Sequence, residues 1–124
     1  MIRARLSASA TVCLVVAALI TAGAHAAPSS TVAASNVCPT TKGKSKVGTV
    51  HAQVNFVNQT GKTVSVYWLD YNGKRVFYKR LLSGKRYAQP TYLTHPWLVL
   101  DASGKCVAYL VTNSKLQTLV IRAT

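Results

Sequence analysis

Short runs in which apolar and polar residues alternate, separated by turn-forming residues, fill the chain from residue 53 onward. Alternation with a period of two places one set of side chains on each face of a strand, so this pattern favours sheets over helices. Residues 63–70 (TVSVYWLD) are rich in the β-branched and aromatic types typical of strands. Asn72-Gly73 follows directly and predicts a type I′ hairpin turn, with positive φ at both residues.

Seven runs of this kind are expected to form strands, with turns that contain Gly, Asn or Ser between them. No segment shows a helical period, and the sequence contains no internal repeat, P-loop or heptad pattern. The residues predict an all-β domain and leave an antiparallel β-sandwich and a barrel open. The predicted strands are 53–58, 63–70, 75–81, 85–89, 97–100, 105–111 and 116–122.

The first residues have the composition of a secretory signal peptide. Arg3 and Arg5 precede an apolar run at 11–21, and small residues at 24–26 offer a cleavage site. The apolar run is shorter than the roughly 20 residues that span a bilayer, so we predict no transmembrane anchor. The expected product lacks residues 1–26 and is secreted or periplasmic, with a retained N-terminal anchor as the alternative.

Residues 27–49 are rich in Ser, Thr, Pro and Ala and are predicted to form a low-complexity tether before a β domain at 50–124. Cys38 and Cys106 would then lie in a compartment where disulfides persist, which favours a bridge between them. Two free buried thiols are the alternative. Cys13 lies in the apolar run and is expected to leave with the signal peptide.

The chain carries a large excess of positive charge. Its 15 Lys and Arg residues face only two Asp and no Glu, and 13 basic residues remain after the predicted cleavage, which gives about +11. Basic pairs at 74–75, 79–80 and 85–86 fall near predicted turns. Such charge favours encounters with nucleic acid or anionic surface polymers, although a solvated basic surface that keeps the protein soluble explains it equally well.

Catalytic and metal-binding residues are scarce. A two-carboxylate hydrolase would need both Asp70 and Asp101. Ser65 or Ser83 can be combined with His95 and Asp101 on paper, but no nucleophile elbow surrounds either serine. The histidines and cysteines show no recognised ligand spacing. We therefore expect no enzymatic activity, no cofactor and no metal.

The segment VNFVNQTGKTVSVYWLDYNGKRVFYKRLLSGKRYAQPTYLTHPWLVLDASG resembles the β domain of the von Hippel-Lindau family. Three landmarks match in order. Residues 68–73 are similar to the family's Trp-Leu-Asn-Phe-Asp-Gly hairpin, Phe77-Tyr78 to its following tyrosine strand, and 91–97 to its Ser-Tyr-x-x-His-x-Trp segment. The resemblance implies a β-sandwich of about seven strands.

The resemblance also implies a ligand, because this family binds an extended peptide through a 4-hydroxyproline. The ligand of a secreted member would be an extracellular protein or peptide. Taken position by position, the matching residues are Trp68, Tyr78 and Trp97 as pocket walls, Thr91 and His95 as partners of the hydroxyl group, and Tyr92 in the adjoining groove.

Two positions depart from the family pattern. Pro90 stands where the family has a histidine that contacts the peptide backbone, and Asp70 replaces the hairpin asparagine. The helical domain that joins a ubiquitin ligase is not expected here, so ligase subunits are not predicted partners. Trp68 and Trp97 also suit an ordinary core. In that case the protein would be a cationic extracellular protein that binds anionic polymers through its Lys and Arg residues.

Overall fold

The structure, a computed structural model, describes residues 17–18, 22–24 and 38–124. Apart from residues 17–18 and 22–24, the predicted signal peptide lies outside the described residues, and so does the predicted tether up to Val37. None of the described residues belongs to a helix long and apolar enough to cross a membrane.

Seven strands form the domain, and each coincides with a predicted run to within a few residues. The all-β sandwich is confirmed. The largest boundary difference lies in the fourth strand, which continues three residues past the predicted end at Gln89. The strands are β1 (His51–Gln59), β2 (Val64–Leu69), β3 (Arg75–Leu81), β4 (Arg86–Tyr92), β5 (Pro96–Leu100), β6 (Cys106–Val111) and β7 (Leu116–Arg122).

The strands form two sheets, one with the order β4-β1-β7 and one with the order β3-β2-β5-β6. All pairs are antiparallel except β1 with β7, which run parallel. This one pair departs from the expected antiparallel arrangement. The two strands are the first and last of the domain, so no short hairpin has to join them and the antiparallel constraint does not apply.

The main core lies between the two sheets and follows from the alternation. Val54 and Phe56 on β1 pack with Val66 on β2 and with Trp97 and Val99 on β5, all of them buried. Burial of each such side chain contributes about 1.5–3 kcal/mol. Because Trp97 belongs to this core, its position is fixed by packing as well as by strand pairing.

A second apolar cluster covers the other face of the four-stranded sheet. Leu69, Leu98 and Leu100 are buried there beside Tyr67 and Tyr109. They alternate along β2 and β5 with the residues of the main core, so they point away from it. The sheet is therefore buried on both faces over part of its area.

Residues 38–49, the described part of the predicted tether, have no regular strand but contact this second face. The predicted disulfide between Cys38 and Cys106 is present, with a Cα–Cα distance of 6.0 Å. Ser45 is only 4% exposed. Its Oγ donates to Leu69 O at 2.6 Å, and its backbone N donates to Asp70 O at 3.0 Å. We call residues 43–48 the N-terminal strap.

The β2–β3 turn is not the predicted type I′ turn, because only Gly73 has positive φ (79°). The Asp70 carboxylate determines the difference. Its Oδ1 accepts hydrogen bonds from the backbone N of Asn72 and of Lys74, both at 2.8 Å. Gly73 N donates to Asp70 O at 3.0 Å. The result is a three-residue loop with glycine in the left-handed position, which is the next most common hairpin form.

Asp101 forms the same kind of turn between β5 and β6. Its Oδ1 accepts from Ser103 Oγ at 2.6 Å and from the backbone N of Ser103 and Lys105 at 2.9 Å. These bonds, the Ser103 hydroxyl first, hold the pKa of Asp101 below its ordinary value. Both carboxylates in residues 38–124 therefore serve turns.

Candidate functional site

A strained turn between β4 and β5 positions the predicted histidine. Tyr92 O accepts a hydrogen bond from His95 N at 3.3 Å, which closes a four-residue turn. Thr94, its third residue, has φ 76° and is the one non-glycine residue with positive φ in residues 38–124. A β-branched residue is disfavoured there, and such strain concentrates at functional sites.

Thr112, which directly follows β6, holds this turn in place. Its backbone N and its Oγ1 both donate to His95 O, at 2.9 and 2.8 Å. Thr112 O in turn accepts from Thr94 N at 2.7 Å. The side chain is 1% exposed. Sequence reasoning missed this residue because a threonine between two strands has no signal that distinguishes it from an ordinary turn residue.

All six sequence-predicted binding residues line one cavity of about 180 Å³. The cavity opens at the edge of the sandwich where β3 of one sheet faces β4 of the other. Trp68 on β2 lies directly opposite Trp97 on β5 in the strand register. The lining residues are Trp68, Tyr78, Thr91, Tyr92, His95 and Trp97, together with Tyr71 and Pro90.

The aromatic walls meet edge to face. The Tyr78 and Trp97 ring centroids lie 5.0 Å apart at 80°, and those of Trp68 and Tyr78 lie 6.4 Å apart at 81°. Trp97 is only 1% exposed and belongs to the main core, so its indole packs in the core and also forms one wall of the pocket. Tyr78 is exposed, as its alternation with Phe77 permits. Three rings in this arrangement form an apolar slot with fixed sides.

Two buried polar groups face into these walls. Thr91 Oγ1 accepts a hydrogen bond from Trp97 Nε1 at 3.3 Å. His95 is 5% exposed, and its Nε2 has no hydrogen-bond partner among the described residues. Trp68 Nε1 is likewise buried without a partner. Each unpaired buried group costs roughly 1–3 kcal/mol, so the site carries unused hydrogen-bonding capacity.

Burial lowers the pKa of His95 below its ordinary 6.5, and a hydrogen bond with the backbone of Lys46 opposes this by a smaller amount. The imidazole is therefore neutral at pH 7. A backbone group raises a histidine pKa when its carbonyl accepts the ring proton. The neutral ring carries its proton on one nitrogen and can accept a hydrogen bond at the other.

Gly48 of the strap packs closely behind the pocket. A Cβ at this position would lie 2.7 Å from Tyr92 Cβ, 2.8 Å from Leu93 O and 3.6 Å from His95 Nε2. Only glycine fits without movement of the β4–β5 turn. Sequence reasoning placed Gly48 in the tether, since a glycine among Ser, Thr and Lys residues carries no sign of close packing.

Tyr71 adds an aromatic ring that sequence reasoning left out. Its ring centroid lies 5.4 Å from Trp68 and 5.8 Å from His95. The side chain is 48% exposed. A signal was available, because Tyr71 occupies the place of the phenylalanine in the family's hairpin pattern.

The structure does not bring together the hypothetical catalytic set of a serine, His95 and Asp101. His95 precedes β5 and Asp101 follows it, so the five residues of the strand, roughly 17 Å, separate them. Ser65 pairs with Leu100 at the Asp101 end. Ser83 lies in the turn between β3 and β4. Within residues 17–18, 22–24 and 38–124, no three potential metal ligands cluster.

Comparison with curated proteins gives no significant match. The family model described as VHL beta domain matches residues 44–120, which is well over half of the 124-residue chain. The match contains every residue that lines the pocket and begins one residue before the buried Ser45. The sequence, the two sheets and the matched range agree, and the chain belongs to the VHL β-domain family.

Proposed function

We propose that this protein is a binding module for extended peptides that contain 4-hydroxyproline. The VHL β domain recognises hydroxyproline in its substrates. The observation that carries the proposal is that the buried His95 and Thr91 line the same cavity as three aromatic rings. An apolar ring with one hydroxyl group is the ligand that such a slot suits.

The pyrrolidine ring would lie against Trp68, Tyr78 and Trp97. Its φ is already fixed, so little conformational entropy is lost on binding. The hydroxyl would accept a hydrogen bond from Thr91 Oγ1, whose lone pair is already used by the Trp97 indole. It would donate to the unprotonated ring nitrogen of His95. Hydrogen bonds linked in such a chain strengthen one another.

Ordinary proline would leave the Thr91 hydroxyl proton and the acceptor nitrogen of His95 without a ligand partner in a mostly apolar pocket. A site built to hydrogen-bond a hydroxyl discriminates strongly against the analogue without it. Because β4 is an edge strand, the peptide backbone can run alongside it in extended form. Pro90 has no N–H to offer such a peptide, so the contacts beyond the pocket differ from those expected of a histidine there.

The test is a titration of two peptides that differ only in proline or 4-hydroxyproline, chosen from an array of extended sequences. We expect the hydroxylated peptide to bind at least tenfold more tightly, which is about 1.4 kcal/mol. His95→Ala and Thr91→Val should remove most of that difference. Thr118→Val, on β7 and outside the pocket lining, should keep it. Equal affinities, or a preference that survives loss of both His95 and Thr91, would contradict the proposal.

The proposed site of action is extracellular or periplasmic, following the sequence of residues 1–26. Hydroxyproline occurs in extracellular structural proteins, so a secreted protein would meet such ligands. Mass spectrometry of the exported product tests this proposal, with an N-terminus at or near Ala27 and no free thiol as the expected result.

A second candidate function is binding to anionic polymers. The favouring observation is that Lys79, Arg80, Lys85 and Arg86 are all exposed around the β3–β4 turn. Changing these four to glutamine should weaken retention on heparin and reduce its salt dependence. Changing Lys42, Lys62, Lys105 and Lys115 removes the same charge elsewhere and should have a smaller effect. Equal effects of the two sets of changes would mean that binding arises from a diffuse basic surface and not from the β3–β4 turn.

A further inference from the structure

A second and larger cavity lies beside the β4–β5 turn, on the side away from the aromatic slot. Its volume is about 460 Å³, within the range of roughly 300–1,000 Å³ typical of small-molecule sites. The strap forms one wall, and the end of β6 forms the other. Leu93, Pro96, Tyr109 and Val111 make most of its lining apolar.

The strap wall is held in place rather than loosely apposed. Ser45 is buried and hydrogen-bonded to Leu69 and Asp70, which fixes the backbone between Lys44 and Lys46. Gly43 passes so close to Tyr109 that a Cβ there would lie 2.8 Å from the phenol oxygen. The cavity therefore has a shape defined by packing on two sides.

Positive charge surrounds this apolar lining. Lys44 and Lys46 are exposed at the rim, and no carboxylate lines the cavity. Asp70 and Asp101, the carboxylates of residues 38–124, are engaged in their own turns. A ligand with an apolar body could bury it against Leu93, Pro96 and Val111, while an anionic group at one end stays at the lysine rim.

We propose that this cavity binds an apolar group that carries a carboxylate, a ligand distinct from the hydroxyproline peptide. Two sources share this chemistry: a free organic acid, and the C-terminal carboxylate of a peptide with an apolar last residue. The apolar body provides most of the affinity. The carboxylate provides selectivity through the two lysines, and this part weakens as salt rises.

The experiment uses octanoate for the first source and N-acetyl-leucine for the second, each beside its neutral amide. Binding is followed by changes in backbone amide resonances. We expect one or both carboxylates to bind about threefold or more tightly than the amide, with the largest changes at Thr94, Val111 and Thr112. Whichever acid shows the preference identifies the source.

Two double variants locate the effect. Lys44→Gln with Lys46→Gln should abolish the preference for the acid over the amide. Lys62→Gln with Lys115→Gln removes the same charge from other exposed positions and should leave the preference intact. Amide and acid of equal affinity, an unchanged preference in the first variant, or resonance changes outside the cavity would each overturn the proposal. None of these results depends on hydroxyproline binding.

Discussion

Thr94 has a backbone conformation that its side chain disfavours, directly before the histidine of the pocket. A left-handed conformation costs a non-glycine residue about 1–2 kcal/mol, and glycine avoids this cost while losing about 0.5–1 kcal/mol of entropy. Thr94 N donates to Thr112 O and Thr94 Oγ1 donates to Lys46 O, and these bonds hold the residue there. The strain at Thr94 is thus one of the costs of orienting His95.

Replacement of Thr94 by glycine is expected to raise the free energy of unfolding by up to about 1 kcal/mol, because the strain is relieved. Urea unfolding provides the measurement. Thr112→Val is the contrasting variant. It removes the hydroxyl that donates to His95 O and should lower stability by about 1–2 kcal/mol. The Thr94→Gly variant also loses the hydrogen bond from Thr94 Oγ1 to Lys46 O, so only a loss of stability above about 1.5 kcal/mol would show that the turn is not strained.

The protonation state of His95 should govern hydroxyproline binding. Its pKa is lowered, mainly by burial, so one ring nitrogen is available as an acceptor at neutral pH. Acidification below the lowered pKa protonates that nitrogen and removes the acceptor. Affinity for the hydroxylated peptide is therefore expected to be constant from about pH 7.5 to 6.5 and to fall at lower pH.

Calorimetric titrations between about pH 7.5 and 4.5 measure this dependence. His51→Gln is the control, since His51 is exposed and stacks on Tyr92 outside the hydroxyl site. It should keep the same pH profile as the unchanged protein. An affinity that rises on acidification would mean that protonated His95 donates to the ligand instead.

Among the secondary-structure elements, the strands were predictable because alternation is a local property. In β7, for example, every second residue is buried, so the position of such a strand can be read without knowing its partners. The pairing of β1 with β7 was not predictable in this way. It joins residues some sixty positions apart, and its parallel direction depends on the path of every strand between them.

The residues that line the pocket were predicted from matched motifs, whereas the residues that hold them in place were not. Trp68, Tyr78 and Trp97 belong to recognisable patterns. The roles of Thr112, whose hydroxyl donates to His95 O, and of Gly48, which packs closely, leave no trace in the local sequence pattern. The type I′ turn was predicted wrongly for a related reason. The Asp70 side chain competes for the turn amides, and the Asn-Gly pair alone does not reveal this.

Gly48→Ala is expected to weaken both the fold and the pocket. Its Cβ would meet Tyr92 Cβ and the backbone oxygen of Leu93, neither of which is a flexible side-chain tip. We expect a loss of about 1–3 kcal/mol in unfolding free energy and weaker hydroxyproline binding. Gly43→Ala is the matched control. Its Cβ would meet only the Tyr109 hydroxyl, which can move aside.

Comparison of the two alanine variants by urea unfolding and peptide titration decides whether the strap supports the pocket. A Gly48→Ala protein with unchanged peptide affinity would separate the strap from the site. If both variants lost stability equally, close packing at Gly48 would have no special role beyond that at Gly43.

At the scale of the whole molecule, one disulfide connects the start of the described domain to β6. The bridge joins residues that are 68 positions apart. In the chain-entropy model, a loop of this length corresponds to ~4 kcal/mol. The same bridge anchors the chain ahead of the strap, whose residues Lys46 and Gly48 lie against His95.

Reduction of the Cys38–Cys106 bridge should therefore lower the unfolding free energy by ~4 kcal/mol and also weaken binding of the hydroxylated peptide. Urea unfolding and peptide titration, each with and without reductant, measure the two effects. A double variant, Cys38→Ser with Cys106→Ser, should behave like the reduced protein and not respond to reductant. Unchanged peptide affinity after reduction would show that Ser45 alone holds the strap.

The parallel pairing of β1 with β7 also determines when the molecule can finish folding. β1 is the central strand of its sheet, and one of its two neighbours is the last strand of the domain to be synthesised. Until β7 emerges, β1 has an open edge on which another nascent chain can form a ladder. The domain therefore completes its fold only after β7 has emerged, and forms that lack β7 are the ones that most need protection from aggregation.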